Sequence, residues 1–186
     1  MNDQTLTWDD LRYLNLVNVE TPSSRAHPTF TPTLPQVDVS HELAGCFDKH
    51  CSNKALVDAV LKEAHIETPV SSLVPQVEMD PSGFIIILDA KDGVVVNLAP
   101  AEYGQAIIQT LGYMGAAFRR HDRSPVFGIL SYGLYWNFFS LDQKGVCYSG
   151  GPGIQIDRPL NGFTQSTGLK KVVAWIVWIL DTIKNE

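Results

Sequence analysis

The feature that most constrains how this chain can fold is an unbroken apolar run, Phe84-Ile85-Ile86-Ile87-Leu88. Turn-forming residues, Asp80-Pro81-Ser82-Gly83, precede it, and the polar tripeptide Asp89-Ala90-Lys91 follows it. A short run rich in β-branched residues predicts a strand, which we place from Phe84 to Ala90. Because its apolar residues are continuous instead of alternating, we expect both faces of that strand to be covered. Such a strand belongs to the middle layer of an α/β protein.

Helical and strand patterns alternate on either side of this run and predict an α/β fold with a mixed sheet. Ser40 is suited to cap a short turn through Phe47, and a better helix is expected at residues 54–66. The remaining elements, in chain order, are strands from Ser72 to Met79 and from Phe84 to Ala90, Val94 to Leu98 as either a third strand or an extended link, a helix from Pro100 and Glu102 to about Arg120, strands at Val126 to Leu130, Tyr135 to Leu141 and Val146 to Ser149, and a final helix from Gly168 to Lys184.

The first 36 residues have the pattern of an arm. Proline lacks the backbone donor that helices and β-ladders need, and it recurs at positions 22, 28, 32 and 35 of a Thr/Ser-rich stretch. We therefore divide the chain into an N-terminal Pro/Thr-rich arm, residues 1–36, and one folded domain, residues 37–186. Apolar residues between Trp8 and Val17 are suited to docking the start of the arm.

Composition narrows the classes of function. The formal net charge of -6 argues against broad, sequence-blind binding to nucleic acid, although it is compatible with a small basic patch. Three cysteines are too few for a disulfide framework, which favours an intracellular protein of the cytoplasm or nucleus. The longest apolar run, Val172 to Leu180, is far shorter than the roughly 20 residues of a membrane-spanning helix, so we expect no membrane protein.

The tripeptide Asp89-Ala90-Lys91 carries the clearest chemistry in the sequence. Alternation along a strand puts Asp89 and Lys91 on the same face. A carboxylate can hold Mg²⁺, which polarises a phosphate oxygen and acidifies a bound water, while a neighbouring lysine orients that water or offsets charge in the transition state. The pair is therefore a candidate for metal-assisted hydrolysis of a phosphodiester bond.

Other polar residues are placed to join this pair. A hairpin turn centred on Pro81 and Ser82 puts Gln76 and Glu78 on the Asp89 face, whereas a one-residue slip moves them to the other. Gln105 and Gln109 lie one helical turn apart, on one side of the predicted helix, where a water, a phosphate or Lys91 can partner them. The basic cluster of Arg119, Arg120 and Arg123 is suited to contact a phosphate backbone.

These segments resemble the PD-(D/E)xK nuclease superfamily, also called restriction-endonuclease-like, in the divergent version found in fungal genomes. The resemblance covers roughly residues 52–142 and rests on Val74-Pro75-Gln76, Leu88-Asp89-Ala90-Lys91, Gly112-Tyr113-Met114, and the segment from Gly128-Ile129-Leu130 to Trp136-Asn137-Phe138. It implies an αβββαβ core with a mixed central sheet flanked by helices. It also implies a Mg²⁺ or Mn²⁺ site and cleavage of DNA or RNA.

One departure from the family pattern bears on activity, because Gln76 stands where the family has its first acid. A neutral amide is a poorer Mg²⁺ ligand than a carboxylate. Within the resemblance, Glu78 or Asp80 takes over as the acid, or Glu63 on the first helix contributes, beside Asp89. Alternatively the site is degenerate, and the domain is a binding or assembly module of a fungal effector or toxin-type protein.

Each of these residues also has a plainer interpretation. Asp89-Ala90-Lys91 can be a solvated turn, Gln105 and Gln109 ordinary helix polarity, and the arginines a solvated helix end, where cations are favourable. The partners we expect are nucleic acid for an active enzyme, or a second copy or another protein at the apolar C-terminal helix.

Overall fold

The computed structural model describes residues 31–49, 53–64, 84–88, 94–98, 103–120, 126–131, 133–142, 147–150 and 153–184. The α-helices among them are α1 (His41–Asp48), α2 (Asn53–Glu63), α3 (Tyr103–Arg120) and α4 (Thr167–Lys184), and a short 3-10 helix covers Phe163–Gln165. The strands are β1 (Phe84–Leu88), β2 (Val94–Leu98), β3 (Val126–Ser131), β4 (Tyr135–Leu141), β5 (Cys147–Ser149) and β6 (Ile154–Gln155).

These strands form one mixed sheet in the order β1-β2-β3-β4, with β5 and β6 both on the outer side of β4. β2 and β3 are parallel, and the other pairs are antiparallel. A parallel pair needs a crossover connection, and α3 provides it between Leu98 and Val126. The prediction of an α/β fold with a mixed sheet is confirmed, and Val94–Leu98 is a strand.

Alternate residues of β3 and β4 send their side chains into two separate hydrophobic clusters, one on each face of the sheet. On one face Phe127, Ile129, Trp136 and Phe138 pack with α1, α2 and α4. On the other face Val126, Leu130, Phe139 and Leu141 pack with α3. The helices therefore cover the sheet from both sides, as the apolar strands require.

Aromatic rings fix α4 on its face of the sheet. Trp175 stacks on Phe138 with ring centroids 5.1 Å apart and planes 10° from parallel. Trp178 meets both Phe127 and Trp175 edge-on, at 5.6 and 5.7 Å. Offset and edge-to-face pairs of this kind add about 0.5–1.5 kcal/mol each beyond the area that they bury.

A glycine sets the distance between α3 and the sheet. A Cβ on Gly128 of β3 would overlap the Met114 sulfur and crowd the Thr110 methyl group, both on α3. Thr110 is itself fully buried, and its hydroxyl donates to the carbonyl of Ala106 one turn earlier. Only a residue without a side chain permits this approach.

The predicted bounds differ from the structure mainly at element ends. The helix expected at residues 54–66 ends at Glu63, and α3 begins at Tyr103. The predicted strand at Ser72 to Met79 lies outside the described residues, and so do Ala90, the predicted end of one strand, and Val146, the predicted start of another. Strand β6 and the 3-10 helix were not predicted. Leu34, inside the predicted arm, packs against the α4 side of the core, while the boundary at residue 36 stays a prediction.

Substituting Gly128 with alanine is expected to destabilise the protein by about 1–3 kcal/mol, because the added methyl group pushes α3 away from β3. Gly45, in the middle of α1, is the matched control, since a Cβ there meets nothing within 4 Å. Gly45→Ala is expected to stabilise by up to about 1 kcal/mol, because alanine restricts the unfolded chain. Urea unfolding of both variants measures the contrast, and equal effects would contradict this account of Gly128.

Candidate functional site

The tripeptide Asp89-Ala90-Lys91 lies outside the described residues, but the strands fix the edge of the sheet from which it departs. Leu88, the last residue of β1, pairs with Val94, the first residue of β2. Val94 in turn lies beside Phe127, near the start of β3. The chain therefore leaves β1 at the edge of the sheet where β2 and β3 begin.

The basic end of α3 reaches this same edge. α3 ends at Arg120, and a five-residue link then leads into Val126, the first residue of β3. Ala117, in the last turns of the helix, packs in one cluster with Val126. Arg119 is exposed, and Arg123 lies outside the described residues. The structure thus brings the end of β1 and the basic end of α3 to one side of the sheet.

The two glutamines belong to the N-terminal half of α3, which begins at the opposite edge of the sheet. α3 follows the end of β2, so its first turn, with Gln105, lies near the edge where β2 and β3 finish. The two ends of β1 are about 13 Å apart at roughly 3.3 Å per residue. Gln109 is half-buried and precedes Thr110, which packs on Gly128. Their support of Lys91 stays a prediction, and the fold does not favour it for Gln105.

Tyr113 follows Gln109 by one helical turn, so the spacing puts it on the same side of α3 as Gln105 and Gln109. Its ring is half-buried against the cluster beneath the helix. Burial raises the pKa of the Tyr113 phenol, because the charged phenolate is poorly solvated there. The side chain is therefore a neutral hydroxyl near neutral pH.

Glu63, a predicted metal ligand, is engaged by a neighbouring serine. The Ser40 backbone N–H donates to Oε1 of Glu63 at 2.7 Å, and the Ser40 hydroxyl donates to Oε2 at 2.6 Å. The same hydroxyl oxygen accepts from the Leu43 N–H at 3.1 Å and so caps α1. Both carboxylate oxygens of Glu63 thus accept hydrogen bonds from Ser40, and a role for Glu63 in metal binding stays a prediction.

This Ser40–Glu63 contact is a capping box assembled from two helices. In the usual arrangement the third residue of a helix supplies the acid that binds the N–H of the capping residue. Here that position is Leu43, which is buried in the core, and Glu63 at the end of α2 supplies the acid instead. The hydrogen bonds to an ionised group are stronger than neutral ones, so they join the start of α1 to the end of α2.

A groove opens beside this contact, between α1, α2 and α4, and we call it the α1–α2–α4 groove. It encloses about 610 Å³. Its walls are mainly apolar and include Val37, Leu43, Ala59, Val173 and Val177, with Cys46, Ser40 and Glu63 among them.

An exposed ion pair lies at the rim of the groove. Lys62 donates to Glu42 at 2.9 Å. The hydrogen bond and charge of Glu42 raise the pKa of Lys62, and Lys62 lowers the pKa of Glu42 for the same reasons. Because both side chains are exposed, solvent screens the pair and it contributes little to stability.

Metal-ligating side chains do not converge among the described residues. No group of three or more His, Cys, Asp or Glu residues there is placed to hold a metal ion. The predicted ligands Asp89, Glu78 and Asp80 all lie outside the described residues, and Glu63 faces Ser40. Mg²⁺ or Mn²⁺ binding therefore stays a prediction.

Comparison with known proteins supplied no relative. No protein-family model matches the chain, and no match was found among curated proteins or among solved structures. Within the described residues, no helix has the length and hydropathy to cross a membrane.

Sequence reasoning identified Ser40 as a cap and Glu63 as a candidate acid, but it missed that they bind each other. They are 23 positions apart, and no local motif links them. The groove was missed for the same reason, because its walls come from α1, α2 and α4.

Ser40→Ala and Glu63→Gln are each expected to destabilise the protein, and the pair is expected to be coupled by about 1–2 kcal/mol. The reason is that Ser40→Ala removes the hydroxyl that donates to Oε2, although the backbone N–H of residue 40 still donates to Oε1, and Glu63→Gln removes the charge that strengthens both hydrogen bonds. Unfolding of both single variants and the double variant measures the coupling. Glu42→Gln, in the exposed ion pair, is the control and should leave stability nearly unchanged. Additive effects at positions 40 and 63 would contradict the contact.

Proposed function

We propose that the protein is a metal-dependent nuclease with a restriction-endonuclease-like αβββαβ core, hydrolysing phosphodiester bonds of DNA or RNA. The order of elements is compatible with such a core: α2, the predicted strand at residues 72–79, β1, β2, α3 and β3. The parallel pairing of β2 with β3, joined across one face by α3, supports the proposal because this core is built on a mixed sheet.

The observation that carries the proposal is the convergence at one edge of the sheet. The acid and lysine of Asp89-Ala90-Lys91 follow the end of β1, and the basic end of α3 reaches the same edge through its link to β3. A phosphodiester is an anion, so cations beside the hydrolytic pair would hold it where the reaction takes place.

The roles follow from the side-chain chemistry. Asp89, with Glu78 or Asp80, supplies the carboxylate oxygens that Mg²⁺ prefers, and the metal ion would activate a water and polarise the phosphate. Lys91 orients that water or offsets the charge that develops on the phosphate. Arg119, Arg120 and Arg123 bind the backbone phosphates on either side of the cleaved bond. Gln105 and Gln109 have a lesser part, because α3 starts at the far edge.

A second candidate function has its own support. Gln76 replaces the family acid, and both oxygens of Glu63 accept hydrogen bonds from Ser40. With the family acid replaced at Gln76 and one of the alternative ligands, Glu63, engaged, the fold is also compatible with a module that has lost catalysis and binds a partner. In that case a second copy or another protein would bind at apolar side chains of α4 that are only partly buried, such as Val177, Leu180 and Ile183, because the others pack in the core.

Lys91→Ala is expected to lower the rate of DNA or RNA cleavage with Mg²⁺ or Mn²⁺ by on the order of 10²–10³-fold, because the charge of the transition state loses its neighbour. Lys171→Ala, at an exposed lysine of α4, is the matched control and should keep full activity. Cleavage that survives unchanged in Lys91→Ala would refute the catalytic assignment.

Calorimetry with Mn²⁺ separates the two candidate functions. An active site requires Mn²⁺ binding that Asp89→Ala removes and that Glu63→Gln leaves in place, since Glu63 is engaged by Ser40. Absence of Mn²⁺ binding in the full-length chain, together with absence of cleavage, would support the binding module.

Arg119→Ala is expected to weaken binding of DNA or RNA without sequence preference and to reduce the slope of log K against log salt by about 0.9 for duplex DNA, since one phosphate contact is lost. Fluorescence anisotropy at several salt concentrations measures that slope. Arg158→Ala is the matched control, because Arg158 is an exposed arginine that pairs with Asp48 of α1 at 3.3 Å. An equal loss in both variants would show that only net charge matters.

A further inference from the structure

The α1–α2–α4 groove has the character of a binding site for an apolar segment. Its walls include side chains from three helices, and Val37 and Asp38 line it from the stretch that leads into α1. Val173 is buried, whereas Ala59 and Val177 are only half-buried and belong to the edge of the main core. A concave apolar surface of this size gains free energy when another apolar group covers it.

We propose that the chain's own N-terminal segment, residues 8–17, docks in this groove. Trp8, Leu11, Leu14 and Val17 recur every third residue, a spacing that aligns side chains in a ridge along one side of a helix. The α1–α2–α4 groove offers the complementary apolar surface between three helices, and the proposal is independent of whether the protein is a nuclease.

The course of the chain favours this occupant. Val37 and Asp38, a few residues after the start of the described structure, line the groove, and Leu34 packs against the adjoining core cluster. Residues 18–30, when extended at up to about 3.5 Å per residue, have ample length for residues 8–17 to turn back.

Tethering favours the chain's own segment over a separate partner. A segment joined by a short linker acts at an effective concentration on the order of millimolar. A contact too weak to recruit a free peptide is therefore filled most of the time by the attached one. Charges at the rim are compatible with it: Lys62 and Lys170 lie beside Glu42 and Asp38, while the segment carries Asp9, Asp10 and Arg12.

Hydrogen exchange of the full-length chain, followed by mass spectrometry, tests the proposal. Amides of residues 8–17 are expected to exchange on the order of tenfold more slowly in the wild type than in Val177→Asp, which places a charge in the wall of the groove. Ala59→Trp, which fills the groove without adding charge, should have the same effect and guards against a folding defect in the first variant. Leu160→Asp, at a fully exposed leucine outside the groove, is the control and should leave the protection intact.

A second measurement tests whether the groove itself is covered. Alkylation of Cys46, which lines the groove, should be slow in the wild type and severalfold faster in a Leu11→Asp/Leu14→Asp chain. A synthetic peptide of residues 5–20, added at the roughly millimolar concentration that the tethered segment experiences, should restore the slow rate in that variant and should not change the wild type, whose groove is occupied.

Three results would overturn the proposal. Rapid exchange of residues 8–17 in the wild type would show that the segment does not dock, and protection that survives both groove variants would show that it docks elsewhere. Protection that rises with protein concentration together with a dimeric mass would assign the groove to the segment of a second copy.

Discussion

Burial of the β3–β4 hairpin on both faces is the constraint on which the rest of the structure depends. Every residue of β3 is buried, and β4 is buried along nearly its whole length. Because neighbouring residues of a strand point to opposite faces, these two strands supply side chains to both hydrophobic clusters at once. β2, and through it β1, is hydrogen-bonded to β3, while β5 and β6 are hydrogen-bonded to β4. The position of every other strand thus follows from this hairpin.

The parts of the fold that the sequence could predict are those in which local pattern and tertiary burial agree. Tyr135–Leu141 has the aromatic character of a strand, and Tyr103–Arg120 has helical periodicity, so both were predicted nearly to the residue. β6 has only Ile154 and Gln155, and it is a strand because it pairs with Trp136 and Tyr135. No window of sequence contains that pairing.

In the candidate site, too, the sequence predicted relations within one element but not contacts between elements. Spacing correctly put Gln105 and Gln109 on one helix, but spacing along a helix does not say which edge of a sheet the helix starts from. Sheet pairing supplies that information, and it brings Arg119 to the side where β1 ends instead. Glu63 was recognised as an acid near the end of a helix, yet its partner Ser40 depends on how α1 and α2 cross.

The outer edge of β4 has a consequence for how molecules of this protein meet one another. β5 pairs with its last residues and β6 with its first, while the Gly150 N–H donates to the Phe138 carbonyl and the Ile156 N–H to that of Leu134. The chain thus doubles back to occupy the backbone groups of β4 that a foreign strand would need, and it leaves on that side two very short edge strands, which limits edge-to-edge pairing. Among the described strands, the outermost one on the other side of the sheet is β1, and its residues, Phe84–Leu88, are the most β-prone run of the chain.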